Sequence, residues 1–219
     1  MRDIFKNELD AINESLTEMG ALVRTAMRHA TTSLLTANND LAEQTIANDN
    51  EIDEMQHDLD SRALMVMARQ APVASDLRIL VTALRMSSDF ERMGDFAHHI
   101  ARLARMYAPS KVVPTELEAS VREMGEISDR LIEKLIRVIE DRDADLALEI
   151  EIDDDQMDKL QKKIMTQMLE ASWGHGVEAA INMTLLTRYY ERFADHAVSI
   201  SRRVYFLVRG EYAAPRDQR

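Results

Sequence analysis

Apolar residues recur along this chain at alternating spacings of three and four. Leu9, Ile12, Leu16, Met19, Val23, Ala26, Ala30 and Leu34 make one stripe; Leu117, Val121, Met124, Ile127, Leu131, Leu135 and Val138 make another. Such spacing lines one face of an amphipathic helix. Breakers cut the pattern at "TANND" (36–40), Pro72, "APSKVVP" (108–114), "EDRDAD" (140–145), Gly174, Gly176 and Gly210. Six helices are therefore predicted. The first ends near residue 36. The second runs from about Leu41 to Gln70, and the third, capped by Ser75, from after Pro72 to about Tyr107. The fourth carries the second stripe, the fifth extends to about Ser172, and the sixth runs from about Val177 to Val208. Trp173, at a predicted turn, is expected to plug the end of the second half.

The pattern is written twice. Met19-Gly20 recurs as Met124-Gly125, and Asp40-Leu41-Ala42 as Asp145-Leu146-Ala147, both at an offset of 105. Asp49 and Asp53 recur at the same offset as Asp154 and Asp158. The offset then falls to 100: "ERMGD" at 91–95 recurs as "ERFAD" at 191–195. The lost residues fall between the second and third helices of each half. The predicted fold is all-α: two tandem antiparallel three-helix bundles related by an internal repeat, residues 1–108 and 114–210, with a flexible tail at 211–219.

Composition narrows the function. Gly and Pro number six and four, aromatics are 5%, and fourteen Met suit a core of adaptable side chains. The absence of cysteine excludes disulfides, zinc–thiolate sites and thiol nucleophiles. The longest apolar run, Ala63 to Ala68, is far short of the about 20 residues of a membrane span. The charged opening "MRDIFK" does not read as a signal peptide, so a cytoplasmic protein is expected. A net charge of −12 disfavours nucleic acid. No glycine-rich phosphate loop and no Ser/His/Asp arrangement is legible.

The chemistry-bearing signal is carboxylate pairs at i, i+4: Asp49/Asp53 with Glu91/Asp95, and Asp154/Asp158 with Glu191/Asp195. This spacing puts both acids on one helix face, at a cost of roughly 0.2–0.5 kcal/mol per pair. In an antiparallel hairpin, residues equidistant from the turn lie side by side. The pair centres of the first half, 51 and 93, have their midpoint at Pro72; those of the second, 156 and 193, have theirs beside Gly174. Four carboxylates are thus expected at one level of each hairpin. Such a group must take up protons, pair with Arg or coordinate a cation. Oxygen ligands suit Mg²⁺, Ca²⁺, Mn²⁺ or iron; the other reading is a surface ladder paired with Arg92 and Arg192. Glu54-x-x-His57 and Asp95-x-x-His98 have the spacing of di-iron ligands, but neither histidine recurs in the second half. His196 is placed to orient Asp195 from outside. "RYYERF" (188–193) and "RRVYFLVRG" (202–210) mix Arg with aromatics, as amphipathic helices do.

The duplicated halves, the acid pairs and the strings "ERMGD" and "ERFADHA" resemble the PhoU family of phosphate-uptake regulators over nearly the whole chain. The family pattern E-R-x-x-D-H-A-x-N-I is met by Glu191, Arg192, Asp195, His196, Ala197 and Ile200, with Ser199 in place of Asn; the first copy has Phe96 and His99 where His and Asn are usual. The resemblance implies a protein without catalytic activity. It implies a cytoplasmic adaptor between the ATPase subunit of the phosphate ABC transporter and a sensor histidine kinase, peripheral to the membrane through those partners only. Such an adaptor restrains phosphate uptake and the starvation response, and it is expected to form a homodimer. The resemblance also implies metal ions (iron, manganese, zinc or magnesium) held by the eight acids Asp49, Asp53, Glu91, Asp95, Asp154, Asp158, Glu191 and Asp195. A ferritin-like di-metal oxidase and a metal-free helical scaffold are the alternatives, together with a transport accessory protein whose loss would abolish uptake.

Overall fold

The computed structural model describes residues 2–213. The described chain is six α-helices: α1 Arg2–Thr36, α2 Asn39–Gln70, α3 Ala74–Tyr107, α4 Glu118–Asp141, α5 Ala144–Leu169 and α6 Gly176–Arg209, with one 3₁₀ turn, Thr115–Leu117, ahead of α4. The all-α fold and six of six predicted helices are present. Residues 214–219 of the expected tail lie outside the described residues.

Local chemistry sets the ends. The α1–α2 and α4–α5 turns are the same device at the 105 offset. Ala37 and Arg142 close the preceding helices in left-handed backbone, φ 52° each. Asn38 and Asp143 then cap the next, accepting from Leu41 N and from Asp145 and Leu146 N. Two expectations need correction. Ser75 does not cap α3: the cap position is Val73, extended and without a side-chain bond, and the helix begins at Ala74, so Ser75 already lies inside it. And α5 stops at Leu169, three residues before Ser172. Glu170 turns to extended backbone there, and Trp173 folds back, its Nε1 donating to the Gly176 carbonyl at 3.0 Å while its ring packs on the core.

Helix contacts give two layers. α2, α3, α6 and α5 lie side by side in that order; α1 packs on α2 and α3, α4 on α5 and α6, and α1 and α4 pack on each other. α3 and α6 are antiparallel, since Asp89 reaches Ser199 and Arg203 while Tyr107 reaches Glu178 and Asn182. The α2–α3 and α5–α6 turns therefore lie at opposite ends. Buried apolar residues form one cluster across both halves, with Met19, Met27, Met93, Met124, Met157 and Met183 among its best-covered members.

A pseudo-twofold axis relates the halves. Arg24 and Asp129, equivalent positions at the 105 offset, meet in a two-pronged bond of 2.7 and 2.9 Å, which only residues beside such an axis can do. The repeated Met-Gly explains how α1 and α4 come so close. A Cβ on Gly20 would stand 3.0 Å from Ile136, and one on Gly125 would stand 2.5 Å from the Thr31 methyl; Thr31 and Ile136 are themselves repeat equivalents. Thr31 is held in place by a buried 2.8 Å bond to the Tyr190 hydroxyl.

Gly125→Ala should therefore lower stability by about 1–3 kcal/mol through overpacking, despite alanine's better helix propensity. Adding Thr31→Ser, which deletes the offending methyl and keeps the hydroxyl, should recover most of the loss. Chemical denaturation of the single and double variants checks this.

Candidate functional site

The eight acids fall where the hairpin arithmetic places them. α2 packs on α3 and α5 on α6, with the turns at 71–73 and 170–175. In the first half Asp49, Asp53, Glu91 and Asp95 act on one another's ionisation; in the second, Asp154, Asp158, Glu191 and Asp195 do. Gly94 permits the approach of α2 to α3: a Cβ there would stand 2.9 Å from Ile52 and 3.6 Å from an Asp49 oxygen.

The two groups differ in how their charge is met. In the first, His98 Nδ1 bonds Asp49 Oδ2 at 2.6 Å, and Arg92 reaches Asp95 at 2.8 Å and Glu91 at 3.5 Å. Burial raises the Asp49 carboxyl above the ordinary aspartate range; the His98 bond opposes the rise, and Asp53 and Asp95 add to it. Burial, with Asp95 beside it, raises Glu91. In the second group the arginine that answers Glu191 is Arg188, one turn earlier, and not Arg192. Two oxygens, Asp154 Oδ1 and Glu191 Oε2, are buried without a hydrogen-bond partner. Asp154 is pushed up to about 7, first by burial and then by Asp158, Asp195, Asp155 and Glu191. Burial and Asp195 also raise Asp158 and Glu191.

Oxygen donors alone suit a hard cation, and orphaned buried oxygens are what such an ion would satisfy. The second group fits one better than the first, whose acids already hold His98 and Arg92. As the side chains lie, no three His, Asp or Glu groups among the described residues converge to ligating positions. A groove of about 560 Å³ lies elsewhere, between α1 and α2 beside Glu8, Met55 and Arg62, and holds none of the eight.

The histidines take other places than the sequence suggested. His57 bonds the carbonyl of Asp53 in its own helix at 2.7 Å. His98, at di-iron spacing from Asp95, instead reaches across to Asp49 on α2. His196 does not orient Asp195. It bonds Asp89 of α3 at 2.9 Å, and Ser199 and Arg203 bond the same carboxylate at 3.1 Å each. Burial raises Asp89, but the bonds from His196 and Arg203 outweigh it and hold the carboxyl below its ordinary range. At the equivalent place across the axis, Tyr189 stacks on His99 and Phe96, with ring centroids 5.1 and 6.3 Å apart. The departures at Phe96 and His99 are thus matched to Tyr189, as His196 and Ser199 are matched to Asp89.

The PhoU domain matches residues 16–104 and 121–204, one copy per half. This chain belongs to the PhoU family. Over 97% of its length it is 40% identical to all of the phosphate-specific transport system accessory protein PhoU homolog 2 of Mycobacterium tuberculosis. It is 30% identical to the PhoU homolog of Pseudomonas aeruginosa, over 94% of this chain and 86% of that one. The crystal structure of PhoU from Pseudomonas aeruginosa superposes with a TM-score of 0.84 at 30% identity, covering 94% of this chain and all of the other. A Streptococcus pneumoniae PhoU structure has the same fold, TM-score 0.85 at 24% identity, over 96% and 100% of the two chains. No described helix is long and apolar enough to cross a membrane.

Two pH dependences of opposite sign follow. Asp154 binds its proton more tightly folded than unfolded, so metal-free protein should lose stability as pH rises from about 4 to about 7, and Asp154→Asn should flatten that slope. Asp89 is depressed, so its contribution is present above the ordinary aspartate pKa and vanishes as pH falls through its lower folded value. Asp89→Asn should cost about 1.5–3 kcal/mol at neutral pH and little in acid. Thermal melts from pH 3 to 8 resolve both.

Proposed function

We propose that this chain is a non-catalytic accessory regulator of phosphate transport that holds a hard cation, most readily at Asp154, Asp158, Glu191 and Asp195. The transport role is supported by full-length similarity to proteins named phosphate-specific transport system accessory proteins. The cation is supported by one observation above all: Asp154 Oδ1 and Glu191 Oε2 lie buried, unpartnered, amid four like charges. Iron, manganese or magnesium would satisfy those oxygens, and Asp49, Asp53, Glu91 and Asp95 would form the second, weaker group. The ion would tie α5 to α6 as the His98–Asp49 bond ties α3 to α2. In this reading the protein is a cytoplasmic adaptor between the transporter's ATPase subunit and a sensor histidine kinase, and it restrains uptake when phosphate is plentiful.

Mn²⁺ should bind more tightly as pH rises through about 7, because the ligands must shed protons. It should raise the melting temperature of the wild type, and Asp154→Asn should abolish that rise. Isothermal titration and paired melts test the site. Deletion of the gene should make phosphate uptake constitutive in phosphate-replete medium; loss of uptake would instead indicate a component needed for transport itself.

A further inference from the structure

α1, α3, α4 and α6 line a cavity of about 220 Å³ where the first half meets the second. Its walls are apolar and covered: Ile12, Leu16, Ala83, Met86, Ile139 and Val204 are each 3% exposed or less. Protein interiors leave few gaps larger than a water molecule, so a void of this size calls for an occupant. Across the axis the equivalent place is filled. Leu9, Ile79 and Leu207 line the cavity, and their repeat equivalents Pro114, Ala179 and Tyr107 stand beside Val112 and Val113. Those two valines come from the connection between the halves and are buried in the core. The chain leaving α6 does not return in the same way. Gly210 turns it in left-handed backbone, φ 80°, and Tyr212 stacks on Phe206, ring centroids 4.4 Å apart. Among the described residues, no side chain takes the place of the valines.

We propose that this cavity binds a small amphiphile with an apolar body and an anionic head, such as a medium-chain carboxylate. An apolar hole with buried walls stays dry and takes apolar ligands, and burial of the body supplies the affinity. The rim specifies the head. Asn13, half-buried, and Arg142, exposed, are the only polar side chains that line the cavity, and Arg142 is the only charged one. Arg142 forms no ion pair with another described residue. Its neighbour Asp143 is turned away to cap α5, accepting from Asp145 and Leu146 N. A guanidinium left available in this way can donate two parallel bonds to a carboxylate. The cavity holds none of the eight acids, so the inference stands apart from the cation and is read without metal or transporter.

The test uses the full chain. Octanoate, 1-octanol and octyltrimethylammonium, which share the apolar body and differ in the head, are titrated by calorimetry beside hexanoate. Octanoate should bind at least ~10-fold more tightly than octyltrimethylammonium, and hexanoate ~10-fold more weakly than octanoate for its two missing methylenes. Octanoate should also raise the melting temperature. Arg142→Gln should weaken octanoate ~10-fold and leave octanol unchanged. Arg137→Gln, exposed on the same side of the α4–α5 turn but outside the cavity, should change neither. Ala83→Leu fills the cavity from its wall and should abolish binding of both octanoate and octanol. Val208→Trp, at an exposed lining position, should block the mouth with the same result and keeps the test open if Ala83→Leu melts early. Absence of octanoate binding, equal binding of the three heads, or binding indifferent to Ala83→Leu and Val208→Trp overturns the proposal. So does octanoate binding unmoved by Arg142→Gln, which would leave the head unrecognised. Self-association abolished by Ala83→Leu would likewise overturn it, by assigning the cavity to a second copy.

Discussion

α3 and α6 run antiparallel and meet near their midpoints, Phe96 against His196 with ring centroids 5.8 Å apart. Most of the molecule's functional geometry follows from that crossing. Each carries half of an acid group near its middle, so both groups sit at mid-height on either side of the axis. Each also begins at a hairpin turn, so the two turns are carried to opposite ends of helices about 50 Å long. In the other layer α1 and α4 approach closely because the residues beside the axis are small or paired: Gly20 and Gly125, and Arg24 with Asp129.

Against this well-packed frame the acids are the frustrated element. Four carboxylates per hairpin contribute nothing to a core and oppose one another. The first group is partly relieved by His98 and Arg92, and the second retains buried oxygens with no partner. Local conflict of this kind, inside a fold otherwise consistent at every level, is what sets functional or strained positions apart from the rest of a structure. The repeats are therefore not two equal copies: one has moved toward internal neutralisation, and the other keeps its charge available.

The helices, their order and the level of the acids were legible because each rests on periodicity, and periodicity is a property of the chain itself. The hairpin midpoints at Pro72 and Gly174 needed only the assumption of antiparallel packing. What escaped were contacts between halves. His196 was read with its sequence neighbour Asp195, whereas its partner is 107 positions away. Glu191 is answered by Arg188, three residues away on the same helix face, a pairing the repeated pentapeptide alone does not point to. Ser75 failed as a cap because α3 already begins at Ala74, ahead of it. A clue to the α3–α6 register was nonetheless written in the sequence: the first copy departs from the second at positions 96 and 99, and also at 89, where Asp89 has Tyr189 as its repeat equivalent. Those are complementary changes, visible only once the two helices are known to face each other.

The matched pairs at that crossing bear on how the chain could be divided. Suppose the halves were made as separate polypeptides and one of them were asked to dimerise with itself. Two first halves would set each Asp89 against Phe96, His99 and Leu103 instead of His196, Ser199 and Arg203, removing the arginine that meets its charge. Two second halves would offer His196 and Ser199 a tyrosine in place of the acid they bind. Only unlike halves fit. Whatever symmetric ancestor the duplication began from, its two descendants have specialised for each other and can no longer stand in for one another.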